Sequence, residues 1–215
     1  MISFPEGIEE YAAKHSDRES SLLYDLSEET RQVTNSQTSG SLHTIGTLLR
    51  LLVQVSEAKN ILEIGTYTGY TALSMAMGLD DDNGKVITLD ENEELTKLAQ
   101  KHWDQSHLGK LIELKLGPPL ESLKALGEIE FDIVFFNGDK KNKKSYTDFW
   151  DAVLPKLRTG GLIIVDNVMW SERVLNPQDD TDRAINAFNE YVRYEQRVQR
   201  VMLTIKDGVT IARKR

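Results

Sequence analysis

The sequence contains no cysteine. Disulfide frameworks, zinc sites built on thiolates and cysteine nucleophiles are therefore excluded. An excess of basic residues is also missing, since 26 lysines and arginines stand against 34 aspartates and glutamates. The resulting net charge of −8 argues against a nucleic acid or an anionic membrane as the main partner.

Long apolar segments are absent as well. No stretch approaches the length that spans a bilayer, and the first residues, MISFPEGIEEYAAKHSD, carry neither a basic head nor an apolar run. We therefore expect a cytoplasmic protein with no signal peptide and no membrane partner. With 215 residues, 40% of them apolar, the chain is long enough for one compact domain over 1–215.

The pattern of apolar residues changes near residue 59. Residues 1–58 have apolar positions at helical spacing, interrupted by a polar stretch at 34–41 that predicts a loop. From 59 onward, short apolar runs alternate with helical segments such as 92–104 and 145–157. The runs interpreted as strands are 60–65, 85–90, 111–117, 131–136, 161–167, 200–205 and 208–213.

Strands that alternate with helices indicate a parallel sheet. The last two runs are joined by a short turn at 206–208, which predicts an antiparallel hairpin at one edge. The expected fold is therefore α/β: a three-layer αβα sandwich around a seven-stranded, mostly parallel sheet. Residues 59–215 would form the core that binds a cofactor, and 1–58 would supply helices and a loop covering the active site.

The end of the first strand is the first candidate site, because ligands of such sheets lie at the carboxyl ends of strands. In EIGTYTG (63–69) two glycines, Gly65 and Gly69, lie between a strand and a helix. They would allow a ligand to approach the backbone closely. The spacing is neither the dinucleotide fingerprint nor a phosphate-binding loop, which disfavours an NAD-dependent dehydrogenase. An ordinary tight turn is the structural alternative.

An acid, Asp90, ends the second strand. An acid at this place can accept both hydroxyls of a ribose, although it could instead cap the helix that begins near Asn92. The glycine turn and Asp90 occur in the two units where a nucleoside-bearing cofactor needs them. Together they favour such a cofactor more than either does alone.

Polar side chains also follow the fourth and fifth strands, as NGDK (137–140) and as Asp166 and Asn167. Oxygen atoms at adjacent strand ends can converge on a hard cation such as Mg²⁺ or Ca²⁺. Lys140 beside a cation could act as a base toward a phenol. Helix capping and turn formation are the alternative, for which the same residue types are common.

Four segments resemble, in the same order, the caffeoyl-CoA/catechol-type, cation-dependent O-methyltransferases. They are LEIGTYTGYTALSMA (62–76), FDIVFFNGDKKN (131–142), LPKLRTGGLIIVDNVMW (154–170) and DGVTIARK (207–214). The resemblance covers about 35–215 and implies a Rossmann-like class I methyltransferase fold, S-adenosylmethionine as methyl donor and a homodimer. It also implies a divalent cation, usually Mg²⁺ and otherwise Mn²⁺ or Ca²⁺, and a small vicinal dihydroxy aromatic acceptor.

The resemblance also implies roles for single residues. The implied cofactor contacts are Glu63, Gly65, Thr66, Tyr67, Thr68, Gly69, Asp90, Gly117, Pro118, Asp139 and Tyr146. Among them Asp90 would hold the ribose, and Gly117 and Pro118 would lie beside the adenine. Lys140 would be the catalytic base, and Asn137, Asp166 and Asn167 would bind the metal.

One position departs from the family in an informative way. Asn137 stands where the family has an aspartate that ligates the metal. An amide oxygen can still face a hard cation, but one negative charge is lost, so the metal affinity should fall. Two alternatives stay open: a metal-independent methyltransferase acting on another hydroxyl or an amine, and a non-catalytic protein that binds the cofactor.

Overall fold

The computed structural model describes residues 7–34, 39–80, 83–136 and 146–215, and within them the chain forms one sheet of seven strands. The strands are β1 (Asn60–Ile64), β2 (Lys85–Asp90), β3 (Ile112–Leu116), β4 (Phe131–Phe136), β5 (Leu157–Asp166), β6 (Val198–Leu203) and β7 (Val209–Lys214). Their order is β3-β2-β1-β4-β5-β7-β6. Strands β1 to β5 are parallel, and β7 runs antiparallel between β5 and β6. The predicted seven-stranded fold with a terminal hairpin is confirmed.

Strand order reverses between β1 and β4, which places the switch point of the sheet beside the carboxyl end of β1. The hairpin is arranged so that β7 pairs with β5 and β6 forms the outer edge. Because β7 is antiparallel to β5, the turn that precedes β7 lies at the carboxyl end of β5. Residue Asp166 at that end pairs with Val209.

The described helices are α1 (Ile8–Lys14), α2 (Ser21–Thr34), α3 (Ser39–Val55), α4 (Tyr70–Ala76), α5 (Glu93–Trp103), α6 (Pro119–Ala125), α7 (Tyr146–Val153) and α8 (Asp180–Tyr194). The helix predicted at 92–104 is confirmed, and the Asn92 side chain caps it by accepting the Leu95 N–H at 3.1 Å. The helix predicted at 145–157 ends earlier, because β5 already begins at Leu157. The loop predicted at 34–41 is too long, since α2 ends at Thr34 and α3 begins at Ser39.

Two apolar layers, one on each face of the sheet, hold these helices. Successive residues of a strand point to opposite faces, and Ile61 and Leu62 of β1 accordingly belong to different layers. One layer contains buried residues of α2 to α5, among them Leu26 and Trp103. The other contains buried residues of α6 to α8, among them Trp150. The three-layer sandwich follows from this alternation.

The connection between α3 and β1, where the 58/59 boundary was predicted, is fixed by an acid on β4. The Asp132 carboxylate accepts the backbone N–H groups of Lys59 and Asn60, both at 2.8 Å, and binds the Arg158 guanidinium at 2.5 Å. That the helices before this boundary cover the active site stays a prediction. No helix in the described ranges is long and apolar enough to cross a bilayer.

Candidate active site

The turn after β1 is shaped by its two glycines. The Gly65 N–H donates to Leu89 O at 2.8 Å, which ties the turn to β2. Gly69 precedes α4 with a φ of 82°, a conformation that favours glycine. A Cβ atom on Gly69 would lie 2.6 Å from atoms of Ala99 and Trp103. The Trp103 indole also donates to Gly69 O at 3.1 Å, so close packing of α5 requires a glycine at this position.

Asp90 joins the end of β2 to the same turn. Its Oδ2 accepts the Tyr67 backbone N–H and its Oδ1 accepts the Asn92 N–H, both at 2.8 Å. Because Asn92 caps α5, the cap predicted as the alternative role belongs to Asn92 and not to Asp90. Each carboxylate oxygen can accept more than one hydrogen bond. Asp90 therefore has acceptor capacity for a ribose beside the turn.

Gly117 and Pro118 lie next to Asp90 at the end of β3. The Gly117 N–H donates to the Asp90 backbone carbonyl at 2.8 Å, and Gly117 has a φ of 145°. Pro118 immediately precedes α6. The three segments that the resemblance assigns to the methionine part, the ribose and the adenine of the cofactor therefore meet at adjacent strand ends.

A buried chain of hydroxyl groups and one carboxyl supports the turn from beneath. The Thr71 hydroxyl donates to Glu63 Oε1 at 2.5 Å, and the Thr88 hydroxyl donates to Oε2 at 2.6 Å. The Thr66 hydroxyl lies 2.6 Å from that of Thr88. Burial raises the pKa of Glu63 to about 8, the two threonine hydroxyls lower it, and the Asp90 charge raises it further.

This environment gives Glu63 a structural role that the sequence did not predict. Its side chain is fully buried and bridges β1, β2 and the first turn of α4 through Thr88 and Thr71. Thr68 is held from the other side, where it accepts the Thr30 hydroxyl of α2 at 2.8 Å. The contacts of Glu63, Thr66 and Thr68 with the cofactor stay predictions.

At the end of β5, both oxygens of the Asp166 carboxylate are engaged. Oδ1 accepts the Asn167 backbone N–H at 2.8 Å, and Oδ2 forms an ion pair with the Lys206 ammonium at 2.8 Å. Asn167 has a φ of 60°, in the left-handed region that favours glycine. The Asp166 side chain is only 2% exposed and that of Lys206 is 20% exposed, so the pair is largely shielded from water.

Lys206 is the site residue that sequence reasoning missed. It was assigned only to the turn of the hairpin, and no motif marks it. The antiparallel pairing of β5 with β7 brings the turn back to Asp166, and Val168 N–H and Met169 N–H donate to the carbonyls of Gly208 and Asp207. A lysine in the turn before a strand antiparallel to β5 is the signal that could have found it.

The residues expected to hold a divalent cation do not fit that group well. Two of the three, Asn137 and Asn167, offer neutral amides, and the single carboxylate, Asp166, is already paired with Lys206. Mg²⁺ is usually held by one or two carboxylates together with water, and here the carboxylate that it would need is occupied by an ammonium group. Within the described ranges, no group of three or more acidic or histidine side chains could hold a metal ion.

A cavity of about 170 Å³ lies between α1, α3 and the β6–β7 hairpin. Its walls are mostly apolar, and Lys206 forms part of its polar surface. The lining residues are Ile8, Glu9, Ala12, Thr44, Ile45, Thr204, Ile205 and Lys206. Through the Lys206 side chain, the cavity therefore reaches Asp166 at the carboxyl end of β5. The glycine turn follows the carboxyl end of β1, on the same side of the parallel strands.

Four further predicted site residues belong to the segment from the end of β4 to the start of α7. Asn137, Asp139 and Lys140 lie outside the described residues. Tyr146 is buried, with its ring centroid 6.3 Å from that of Phe136 and 5.3 Å from that of Phe188. It belongs to the apolar layer formed with α6 to α8, and its contact with the cofactor stays a prediction.

Comparisons with known proteins bear on the family and the fold of this chain. The model of the O-methyltransferase family matches residues 13–215. The Mus musculus catechol O-methyltransferase domain-containing protein 1 is 35% identical over 173 residues, which cover 78% of this chain and 64% of that protein. The Petroselinum crispum caffeoyl-CoA O-methyltransferase is 32% identical over 188 residues, covering 79% and 74%.

A solved structure extends the similarity to the whole chain. The O-methyltransferase from Bacillus cereus, determined in complex with SAH (S-adenosylhomocysteine), superposes with a TM-score of 0.86 and 28% identity. The superposition covers 100% of both chains. The similarity therefore includes the N-terminal helices as well as the sheet.

Proposed function

This chain belongs to the O-methyltransferase family and is an S-adenosylmethionine-dependent enzyme, and we propose that its acceptor is a small vicinal dihydroxy aromatic. The observation that carries the proposal is the apolar cavity that ends at Lys206 and, through it, at Asp166. Such a cavity suits a flat apolar ring that presents its oxygens to a charged pair.

The donor would bind at the neighbouring strand ends. We infer that Asp90 accepts the ribose hydroxyls and that the 65–69 turn and the Gly117–Pro118 segment enclose the rest of the adenosylmethionine. The backbone geometry of Gly65 and Gly69 and the hydrogen bonds that hold Asp90 support this inference.

The reaction needs little covalent chemistry from the protein. Lys140, as the neutral amine, takes the proton of one acceptor hydroxyl. The oxygen lone pair attacks the methyl carbon, and the carbon–sulfur bond breaks with its electron pair moving to sulfur. The products are the aryl methyl ether, S-adenosylhomocysteine and a protonated Lys140. Positioning and electrostatic stabilisation supply the remaining rate enhancement.

Two forms of this reaction differ in the cation beside the acceptor oxygen. In the metal-assisted form, Asp166, Asn167 and Asn137 would hold Mg²⁺ or Mn²⁺. In the second form no divalent cation is required. The pairing of Asp166 with Lys206 supports the second form, because the carboxylate that would bind the metal is already neutralised.

Product analysis tests the proposal. The enzyme would be incubated with S-adenosylmethionine carrying a ¹³C-methyl group and a panel of catechols and caffeoyl esters, in EDTA and separately in Mg²⁺. We expect an aromatic methoxy signal in the NMR spectrum of at least one product, of similar size in both conditions. Methyl transfer only to amines, or to none of the panel, would contradict the proposed acceptor class.

We also infer a homodimer, as the family resemblance implies. The apolar side chains Leu51 and Val55 of α3 support this inference, because they are 48% and 83% exposed in the single chain and apolar patches of this kind favour association. Sedimentation equilibrium at micromolar concentration measures the mass. A monomer at all concentrations would contradict the inference.

A further inference from the structure

We propose that the Lys206 ammonium is the resident cation of this active site and holds the acceptor oxygen as that oxygen loses its proton. The proposal rests on the proposed function for the identity of the acceptor. Its second part, that Lys206 stands in place of a divalent metal, concerns the site alone and is tested without an acceptor.

The charges around Asp166 disfavour a divalent cation. Its carboxylate lies 2.8 Å from the Lys206 ammonium, with 2% and 20% of the two side chains exposed. The other two expected ligands, Asn137 and Asn167, are neutral. Among the described residues at the end of β5, the Asp166 carboxylate and the Lys206 ammonium balance each other, and a divalent ion added here would meet an ammonium at the same carboxylate. Shielding from water strengthens that repulsion.

The Lys206 ammonium lies where it can bind both Asp166 and a ligand in the cavity. Lys206 lines the cavity while its side chain reaches Asp166. An ammonium has three N–H donors, and in the part of the chain that the structure describes Asp166 takes one of them. The remaining donors suit an oxygen of a ligand in the cavity. Glu9 is the other charged residue in the lining.

The turn holds Lys206 in a backbone conformation that favours glycine. Lys206 has a φ of 49°, in the left-handed region that is unfavourable for a residue with a side chain. The turn is held there by the Gly208 N–H, which donates to Ile205 O at 2.9 Å. A glycine would adopt this conformation without the steric cost. Unfavourable backbone of this kind is concentrated at functional sites.

In the reaction Lys206 keeps all its protons. The proton of the acceptor hydroxyl passes to Lys140, and the methyl group passes to the oxygen as the bond to sulfur breaks. The Lys206 ammonium stabilises the negative charge that develops on the oxygen before the methyl group arrives. The second hydroxyl of a vicinal pair can accept another of its N–H groups, which favours dihydroxy acceptors over phenols.

The first test is a calorimetric titration of Mn²⁺ into the protein saturated with S-adenosylhomocysteine. The variants are Lys206→Met, which keeps the length of the side chain, and Lys206→Gly, which also removes the unfavourable backbone conformation at this position. Lys97→Met, which removes an exposed lysine paired with Glu93 and Glu94, is the control. We expect at least tenfold tighter Mn²⁺ binding in both Lys206 variants than in the native and control proteins.

Stoichiometric Mn²⁺ binding by the native protein, with no gain in the Lys206 variants, would overturn the proposal. So would an absence of Mn²⁺ binding in every protein, because removing the ammonium should leave Asp166 free for a cation. Neither result depends on the acceptor, so a failure of the acceptor assignment is distinguished from a failure of this inference.

The second test is turnover in EDTA with the acceptor that gives most product. Lys206→Met should lower kcat about 10- to 100-fold, leave the affinity for S-adenosylhomocysteine unchanged, and recover part of the loss when Mn²⁺ is added. Lys206→Arg should keep more activity than Lys206→Met because it keeps the charge. A Lys206→Met enzyme with native kcat in EDTA would overturn the catalytic role.

Discussion

The carboxylate of Asp90 accepts the backbone N–H of Tyr67 across 2.8 Å, joining the end of β2 to the glycine turn after β1. Asp90→Asn should weaken binding of S-adenosylhomocysteine by roughly 10- to 100-fold, because hydrogen bonds to a charged group contribute about 1.5–3 kcal/mol. Isothermal titration calorimetry measures this loss.

The matched control is Glu94→Gln, which removes a carboxylate from the first turn of α5 where the side chain is 85% exposed. It should bind the cofactor as the native protein does. An Asp90→Asn variant with native affinity would show that Asp90 only braces the turn and does not hold the ribose.

A substitution at Gly69 tests whether the turn requires close packing against α5 as well as a left-handed backbone conformation. Gly69→Ala would place a Cβ atom 2.6 Å from Ala99 and Trp103 at a φ of 82°. Backbone strain of about 1–2 kcal/mol would add to overpacking of about 1–3 kcal/mol. We expect a clear fall in Tm by scanning calorimetry and loss of cofactor binding.

Gly127→Ala separates the two effects. Gly127 has a φ of 68°, and a Cβ atom there would meet nothing within 4 Å. This variant should show the backbone strain alone and should keep the cofactor affinity. Equal losses of Tm in the two variants would mean that the packing of α5 against Gly69 contributes nothing.

The raised pKa of Glu63 predicts that the free energy of unfolding depends on pH. Its pKa is about 8 in the folded chain against an ordinary 4.5, so the folded state binds the proton more tightly than the unfolded state. The stabilisation that comes from this proton is complete below about pH 4.5 and is lost as the pH rises to about 8. Over that range the free energy of unfolding should fall by at most about 1.4 kcal/mol per pH unit.

Chemical denaturation between pH 5 and pH 8 measures that slope. Glu63→Gln removes the titrating group while retaining an amide that can pair with Thr71 and Thr88, and it should flatten the profile. Glu94→Gln should keep the native profile. If Glu63→Gln and the native protein lose stability with rising pH at the same rate, Glu63 is not the group whose titration causes the loss.

The cavity can be blocked without touching the cofactor site. Ala12→Phe would fill space lined by α1, α3 and the hairpin, and should raise the acceptor KM at least tenfold with little change in S-adenosylhomocysteine affinity. Glu10→Phe adds the same ring on α1 at an exposed position outside the lining. Similar KM values for the two variants would place the acceptor elsewhere.

Lys140, the proposed base, should act on turnover and not on binding. Lys140→Ala is expected to lower kcat by about 100-fold or more, the usual size of general-base effects, while the affinity for S-adenosylhomocysteine stays near native. Steady-state kinetics and calorimetry give the two values. Equal losses in both would count against a role as base.

The parts of the site that depend on local sequence could be predicted. The strands and their order along the chain, the helix that became α5, the glycine turn and the position of Asp90 at the end of β2 follow from short-range patterns, in which a residue's neighbours fix its geometry. The earlier starts of β5 and β6, at Leu157 and Val198, and the capping of α5 by Asn92 were not predicted. The role of Glu63 could not be predicted in this way, because its burial and its bond to Thr88 depend on the pairing of β1 with β2.

Lys206 shows the same limit more clearly. It lies 40 positions from Asp166 in the chain, and only the antiparallel return of β7 beside β5 brings the two together. The cavity likewise combines residues of α1, α3 and the hairpin. Such features depend on tertiary packing, which no short motif encodes.

The metal-free role of Lys206 is tested most directly by comparing kcat/KM for a vicinal dihydroxy aromatic with that for its monohydroxy analogue, both in EDTA. We expect methylation of the dihydroxy compound without added metal, with kcat/KM at least tenfold above that of the monohydroxy compound. Equal values for the two, or activity that appears only when Mg²⁺ is restored, would mean that the Lys206 ammonium does not hold the acceptor oxygens.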